Sequence, residues 1–233
     1  MNAANIRMNM YGPIHKGLRS RMAETMTALG RMDCSDAAQV EATLDLLGDL
    51  LDLCRDHLEH ENRFVHTAME ARAPGSADAA TVEHAHHQAE IAALQALCSH
   101  VAGSRDRERA ELAYRLYLAF SSFVAENLTH MRFEEEHNNA VLWSHHSDEE
   151  LLAIEQALVA SIPEAKRPRA LRLIVPALAH TERVQFLAHM REGMPAPAFA
   201  GVLAMLMPLL DAREQDKLRT ALGLDEGAAG IAA

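Results

Sequence analysis

Apolar residues recur at spacings of three and four along most of the first 146 positions, and this is the period of an amphipathic α-helix. The clearest stripe is formed by Leu47, Leu50, Leu51, Cys54 and Leu58. No segment alternates apolar and polar residues for long enough to predict a β-strand. The sequence therefore predicts an all-α protein.

Proline and glycine divide this region into four long helices. We expect these helices at residues 13–32, 35–72, 76–103 and 105–143. Pro13 is suited to the first turn of the first helix, and Ser35 with Asp36 is suited to cap the second. Long helices joined by short turns pack as an up-down-up-down four-helix bundle, which we predict over residues 1–146.

The rest of the chain has a different character, because prolines divide it into shorter helical pieces. Ser147 with Glu150, and Ser161 with Glu164, have the spacing of a capping box and are predicted to begin helices. We expect a helical extension over residues 147–222 and a disordered tail over 223–233. The apolar surface of the extension favours a homodimer.

Composition and charge argue against some classes of binding partner and some kinds of structure. The formal net charge of −11 argues against a nucleic-acid partner, and a hydrophobic content of 49% argues against general disorder. The most apolar stretch, 196–210, is interrupted by Pro197 and Pro208 and is too short to span a membrane. Three scattered cysteines and the lack of a signal-peptide pattern lead us to expect a cytoplasmic protein without a membrane partner.

Histidine and glutamate pairs carry the candidate chemistry. Six pairs with the spacing His-x-x-x-Glu occur among the 14 histidines, whereas about 1.3 are expected by chance. Two of them, His57/Glu61 and His130/Glu134, continue apolar stripes and should face the interior. A buried carboxylate is costly unless it is compensated, and a metal ion bound by both side chains would compensate it. A neutral histidine hydrogen-bonded to a glutamate is the alternative for either pair alone.

The other pairs are weaker candidates. His66/Glu70 lies near a helix end, where we expect it at the surface. The pairs that begin at His145 and His146 cross a predicted turn, so the helical geometry does not apply to them.

Two further helices contribute inward histidines. His15 lies on the apolar face of the first helix, and His84 and His87 share one face of the third. We prefer His84 as the ligand, with His87 as a neighbour or an additional ligand, and expect His86 to point away. The candidate metal ligands are His15, His57, Glu61, His84, His87, His130 and Glu134. Mixed imidazole and carboxylate ligands suit iron and manganese.

The order His15, His57-x-x-x-Glu61, His84, His130-x-x-x-Glu134 resembles the hemerythrin-like, HHE cation-binding family over about residues 10–145. The segment after Pro163 resembles a helical extension of some bacterial members. The resemblance implies a non-haem di-iron centre with an oxo or hydroxo bridge, with manganese as the alternative metal. It also implies a protein that binds or senses O₂ or NO, or handles iron.

The match departs from the oxygen-carrying members of that family. They carry a second histidine four residues along the third helix, where this chain has Gln88, and an aspartate on the fourth, one residue beyond the position of Glu134. This difference favours the bacterial members linked with nitric-oxide stress and iron–sulfur repair over reversible oxygen carriage.

Three alternatives stay open at this point. The first is a di-iron enzyme, such as a peroxidase, an NO reductase or an iron–sulfur repair protein, in which Tyr114 and Tyr117 are better explained as packing residues. The second is a ferritin-like carboxylate bundle, suggested by the Glu-x-x-His spacings that begin at Glu83 and Glu134. The third is a metal-free helical bundle.

Overall fold

The computed structural model describes residues 7–224, and these residues form helices and no β-strand. The all-α prediction is therefore confirmed for the described part of the chain. The first helices are α1 (Gly12–Arg31), α2 (Ala37–His60), α3 (Thr67–Arg72), α4 (Asp78–Gly103), α5 (Asp106–Phe133) and α6 (Asn139–His145). Most of the predicted disordered tail, residues 225–233, lies outside the described residues.

Two short π-helical segments were not predicted. Glu61–His66 joins α2 to α3, and Glu134–Asn138 joins α5 to α6, so each pair of α-helices continues through a wider turn. A π-helical turn closes its hydrogen bonds one residue later than an α-helical turn. Each segment begins at the glutamate of a predicted His-x-x-x-Glu pair, and each changes which of the following side chains face inward.

The long helices enclose a common apolar core. Helix α1 packs against α2 and α5, and α4 packs against the same two helices. The side chains between them are almost completely buried: Leu18, Met22, Leu47, Leu50, Leu116 and Phe120. This core holds the inward histidines at fixed positions along each helix.

The boundary between the two compact units comes after Ile162, later than the predicted boundary at residue 146. The reason is helix α7 (Asp148–Ser161), which begins at the predicted Ser147 capping box. Its Leu151 is fully buried in a cluster with Tyr11 and Leu142. Its Glu150 also accepts two hydrogen bonds, of 2.6 and 2.9 Å, from the guanidinium of Arg72. Helix α7 therefore belongs to the first unit.

The second unit contains α8 (Arg167–Ala177), α9 (His180–Glu192), α10 (Ala196–Leu206) and α11 (Ala212–Ala221). The predicted capping box at Ser161 is wrong. Ser161 is the last residue of α7, and its hydroxyl donates to the Leu158 carbonyl at 2.7 Å. Pro163 then precedes a single 3₁₀ turn at Glu164–Lys166, so the backbone at Ser161 is not positioned to cap a helix. Among residues 7–224, no helix is both long and apolar enough to cross a membrane.

A buried arginine holds the second unit together. The Arg183 side chain is 2% exposed, and its guanidinium donates to the carbonyls of Val175, Pro176 and Leu178 at 2.9–3.1 Å. It also contacts the Glu214 carboxylate at 3.2 Å. Its planar fork therefore satisfies the end of α8, where the last carbonyls of a helix lack partners within the helix.

We expect Arg183→Lys to lower the stability of the second unit by about 2 kcal/mol or more, because lysine cannot reach three separate carbonyls and leaves buried acceptors unsatisfied. Urea unfolding of the full chain, with hydrogen exchange of residues 163–224, measures this loss. Arg213→Lys, at an exposed position on α11, is the matched control and should change little. Equal stabilities of the two variants would contradict the role given to Arg183.

Candidate metal centre

Six side chains with metal-binding chemistry meet between the helices of the first unit. Each of the four long helices contributes one imidazole, and the first residue of each π-helical segment contributes one carboxylate. The six residues are His15, His57, Glu61, His84, His130 and Glu134. All are buried except the His57 side chain, which is 11% exposed.

These side chains form two groups that share both carboxylates. The first group joins His15 and His57 with Glu61 and Glu134, and the second joins His84 and His130 with the same two glutamates. In each group one ligand atom per residue lies within 4.8 Å of all the others. Two adjacent ligand groups that share carboxylates are the arrangement expected for two bridged metal ions.

The distances within each group fit a coordination shell. His15 Nε2 and His57 Nε2 are 3.1 Å apart, and His84 Nε2 and His130 Nε2 are also 3.1 Å apart. Two atoms bound to one ion at about 2.1 Å, with angles of about 90–109°, lie about 3.0–3.4 Å apart. Each pair of ring nitrogens can share at most one proton, so a cation between them satisfies both lone pairs.

Glu61 lies between the two groups. Its Oε1 is 3.2 Å from His57 Nε2, and its Oε2 is 3.5 Å from His84 Nε2. Neither oxygen has a hydrogen-bond partner among the described residues, and Oε2 of Glu134 also has none. A buried carboxylate oxygen without a donor is costly, and a bound cation is one way to satisfy it. The residues present therefore fit a pair of metal ions bridged by carboxylates.

Three of the four remaining ring nitrogens face oxygen atoms outside the centre. His15 Nδ1 is 3.1 Å from Glu135 Oε1, His84 Nδ1 is 2.8 Å from Asn62 Oδ1, and His130 Nδ1 is 2.6 Å from Glu83 Oε2. Each of these oxygens can accept a hydrogen bond from the N–H group at Nδ1. The Nε2 atom, which then carries no proton, faces the centre. Metal-binding histidines are commonly oriented by such partners.

The pKa values of the two central glutamates are shifted in opposite directions. Burial and the nearby charge of Glu134 raise the pKa of Glu61 to about 7. Burial acts to raise the pKa of Glu134 as well, but the close imidazoles of His15 and His84 outweigh it and hold this pKa well below its usual range. The site therefore concentrates negative charge on Glu134, where a cation would be most strongly attracted.

Burial and the neighbouring carboxylates act oppositely on His15. Burial lowers the pKa of His15, but the close carboxylates of Glu134 and Glu135 outweigh burial and raise this pKa to about 10. A metal ion bound to His15 Nε2 would take the place of its proton, so metal binding should release protons.

The structure contradicts the expectation that His66, of the pair His66/Glu70, lies at the surface. It is buried, and its ring stacks on His84 with centroids 4.8 Å apart. The π-helical segment that begins at Glu61 carries His66 to the inner face, which a regular α-helix would not do. Its supposed partner Glu70 instead accepts from the backbone N–H groups of Gly75 and Ala77, both at 2.8 Å.

The three histidines of the third predicted helix differ in position, and His87, one of the candidate ligands, is not in either group. His84 belongs to the second group, whereas His87 lies outside both groups and is buried with its ring 4.9 Å from that of His130. The His86 side chain is 59% exposed. Gln88, four residues after His84, is also exposed.

Sequence reasoning missed the residues that surround the centre. Glu83, Asn62 and Glu135 orient the histidines, and buried Tyr11 lies with its ring 5.3 Å from that of His15. Burial, with the charges of the two central glutamates, raises the pKa of Tyr11 well above its usual range. The signals in the sequence were proximity alone: Asn62, Glu83 and Glu135 each adjoin a candidate ligand, and Tyr11 lies four residues before His15.

The ferritin-like alternative is not supported by the geometry. The histidines of its two Glu-x-x-His spacings, His86 and His137, are both exposed. Tyr114 is 62% exposed and its ring lies against Tyr117, which agrees with a packing role for this pair.

Comparisons of the chain with family models, with curated proteins and with solved structures found no match. The resemblance to hemerythrin-like proteins therefore depends on the order and geometry of the six central residues. Their donor set, four imidazoles and two shared carboxylates, is the chemical observation that a functional proposal must explain.

We expect Asn62→Ala to lower metal affinity by about 10–100-fold, because His84 loses the partner that orients its ring. A competition titration with a coloured chelator measures the affinity. Gln88→Ala, an exposed position on α4, is the control and should bind metal like the wild type. Unchanged affinity in Asn62→Ala would show that packing alone orients His84.

Proposed function

We propose that this chain is a non-haem di-iron protein of the hemerythrin-like, HHE type, which binds or senses O₂ or NO or handles iron. In this proposal α1, α2 with α3, α4, and α5 with α6 form an up-down-up-down four-helix bundle, and the metal pair lies inside it. The observation that supports it most strongly is the pair of ligand groups that share Glu61 and Glu134. Iron is the proposed metal, with manganese as the alternative.

Each metal ion would have two histidine ligands of its own and would share both glutamates with the other ion. His15 and His57 would hold one ion, His84 and His130 the other, and the two glutamates would bridge them. A bound metal pair would supply open coordination positions and redox chemistry for a diatomic ligand. The buried surroundings exclude bulk water, which strengthens the attraction between the carboxylates and the metal ions.

A second candidate is an enzyme that uses the same centre, as a peroxidase, an NO reductase or a repair protein that donates iron. The observation that favours it is Tyr11, a buried phenol beside His15 whose oxygen accepts a hydrogen bond of 3.2 Å from Asn138 Nδ2. A phenol in that position can supply a proton or an electron to the centre. Turnover with peroxide or NO, measured on protein of known iron content and on Tyr11→Phe, separates the enzyme from a binding protein.

The remaining expectations concern the location, the oligomeric state and the partners of the protein. A cytoplasmic location, a homodimer, and the lack of nucleic-acid and membrane partners stay predictions. The proposed partner is a small diatomic ligand.

We expect protein from iron-replete cells to carry about two irons per chain, and Glu61→Ala or Glu134→Ala to lose at least one of them, because each glutamate contacts both groups. Elemental analysis with circular dichroism measures iron content and confirms folding. Glu136→Ala, on the exposed side of the same π-helical segment, is the matched control and should keep both irons. Full occupancy in both substituted proteins would overturn the bridging role.

Metal should raise the melting temperature of the metal-free protein, which is expected to fold because its apolar core does not involve the centre. The stabilisation reaches about 2.7 kcal/mol at a free metal concentration of 100 times Kd. Differential scanning calorimetry with and without Mn²⁺ or Fe²⁺ measures the effect, and Glu134→Ala should show much less of it. An unchanged melting curve for the wild type would argue against a metal centre.

A further inference from the structure

A second group of metal-binding side chains lies at the surface, across helices α4 and α5. His86 Nε2 is 2.9 Å from Glu126 Oε2 and 3.7 Å from Glu90 Oε2, and one ligand atom of each residue lies within 4.8 Å of the other two. Their side chains are 59%, 44% and 19% exposed, in the order His86, Glu126, Glu90. The surface trio, as we call these three residues, is open to solvent on one side.

The surface trio is connected to the buried centre by one intervening histidine. Oε2 of Glu90, the same oxygen that faces His86, is 3.0 Å from Nδ1 of His87. The His87 side chain is 3% exposed, and its Nε2 has no hydrogen-bond partner among the described residues. On its other side the His87 ring lies 4.9 Å from the ring of His130, a member of the second group of the centre.

His87 therefore supplies an observation independent of the surface carboxylates. A buried imidazole nitrogen without a partner is destabilising by about 1–3 kcal/mol, and a purely structural packing position does not require one. Because Nδ1 of His87 faces Glu90, the unpartnered Nε2 lies on the side of the ring away from the surface trio. The surface trio, His87 and His130 thus form a series of neighbouring metal-binding side chains from solvent to the centre.

We propose that His86, Glu90 and Glu126 form a surface site for a divalent first-row transition-metal ion, and that this ion passes by way of Glu90 and His87 to the buried centre. The surface site stands on its own residues, whereas its role in loading rests on the proposed function. One imidazole with two carboxylates suits Fe²⁺, Mn²⁺ or Zn²⁺ better than Ca²⁺ or Mg²⁺, which take oxygen ligands. The net charge of −11 attracts cations to the surface.

The partial exposure of the site explains why it would pass its ion onward. Water competes for the open side, so the three residues bind an ion more weakly than the six enclosed residues of the centre. Movement from the surface to the centre is therefore favourable, and Glu90 is placed to contact the ion both at the surface trio and beside His87. The plain alternative is an exposed ion pair between protonated His86 and Glu126, which would bind no metal.

The first test measures Mn²⁺ binding by electron paramagnetic resonance in a Glu61→Ala/Glu134→Ala background, in which the buried centre lacks both of its shared carboxylates. We expect this protein to bind one weakly held Mn²⁺, and addition of Glu126→Gln to weaken that binding at least tenfold. Addition of Glu111→Gln, an exposed glutamate on the same helix, should leave it unchanged. Equal Mn²⁺ binding with and without Glu126→Gln would overturn the surface site and leave only the ion pair.

The second test follows the loading of the otherwise unsubstituted protein with Fe²⁺ under anaerobic conditions, by trapping with a chelator at increasing times. We expect Glu126→Gln and His86→Ala to reach the wild-type iron content several-fold more slowly, and Glu111→Gln to load at the wild-type rate. Equal loading rates would overturn the role of the surface site in loading. A wild type that takes up no iron would instead overturn the proposed function, while the Mn²⁺ measurement still decides the surface site.

Discussion

The central constraint in the first unit is the burial of two carboxylates, Glu61 and Glu134, side by side between the helices. Like charges in a poorly solvated interior repel each other, and burial opposes the ionisation of both. The raised pKa of Glu61 is a consequence of this conflict, whereas the imidazoles of His15 and His84 lower the pKa of Glu134. The four surrounding imidazoles partly resolve it, but three carboxylate oxygens remain without hydrogen-bond donors. The two bridged cations that we propose would satisfy all of these atoms together.

The two π-helical segments determine which side chains surround the two glutamates. Each begins at one of the central glutamates and changes the direction of the residues that follow it. In the first segment this places Asn62 against His84 and turns His66 inward, and in the second it places Glu135 against His15. Single turns of π-helix within α-helices are often found at functional sites, because they direct side chains that a regular helix could not.

The end of the centre near the chain start is closed by apolar packing. Tyr11, Val65, Leu142 and Leu151 form one buried cluster, to which helix α7 contributes. This explains why α7 belongs to the first unit, since without it the π-helical segment at Val65 would lose part of its cover. The surface trio differs from this apolar cluster, because there the polar side chains of Glu90 and His87 lie between solvent and His130. One side of the centre is thus covered by apolar residues and another by polar residues.

The sequence by itself determined the helices, the inward faces and the placement of His15, His57, His84 and His130, because all of these follow from the local period of 3.6 residues. Only the tertiary structure decided the π-helical segments, the burial of His66 and the place of α7. These depend on contacts between distant parts of the chain, such as Glu83 with His130 or Arg72 with Glu150. A helical period cannot show where one residue is inserted into a turn, since the energy that stabilises such a turn comes from neighbouring helices and not from the segment itself.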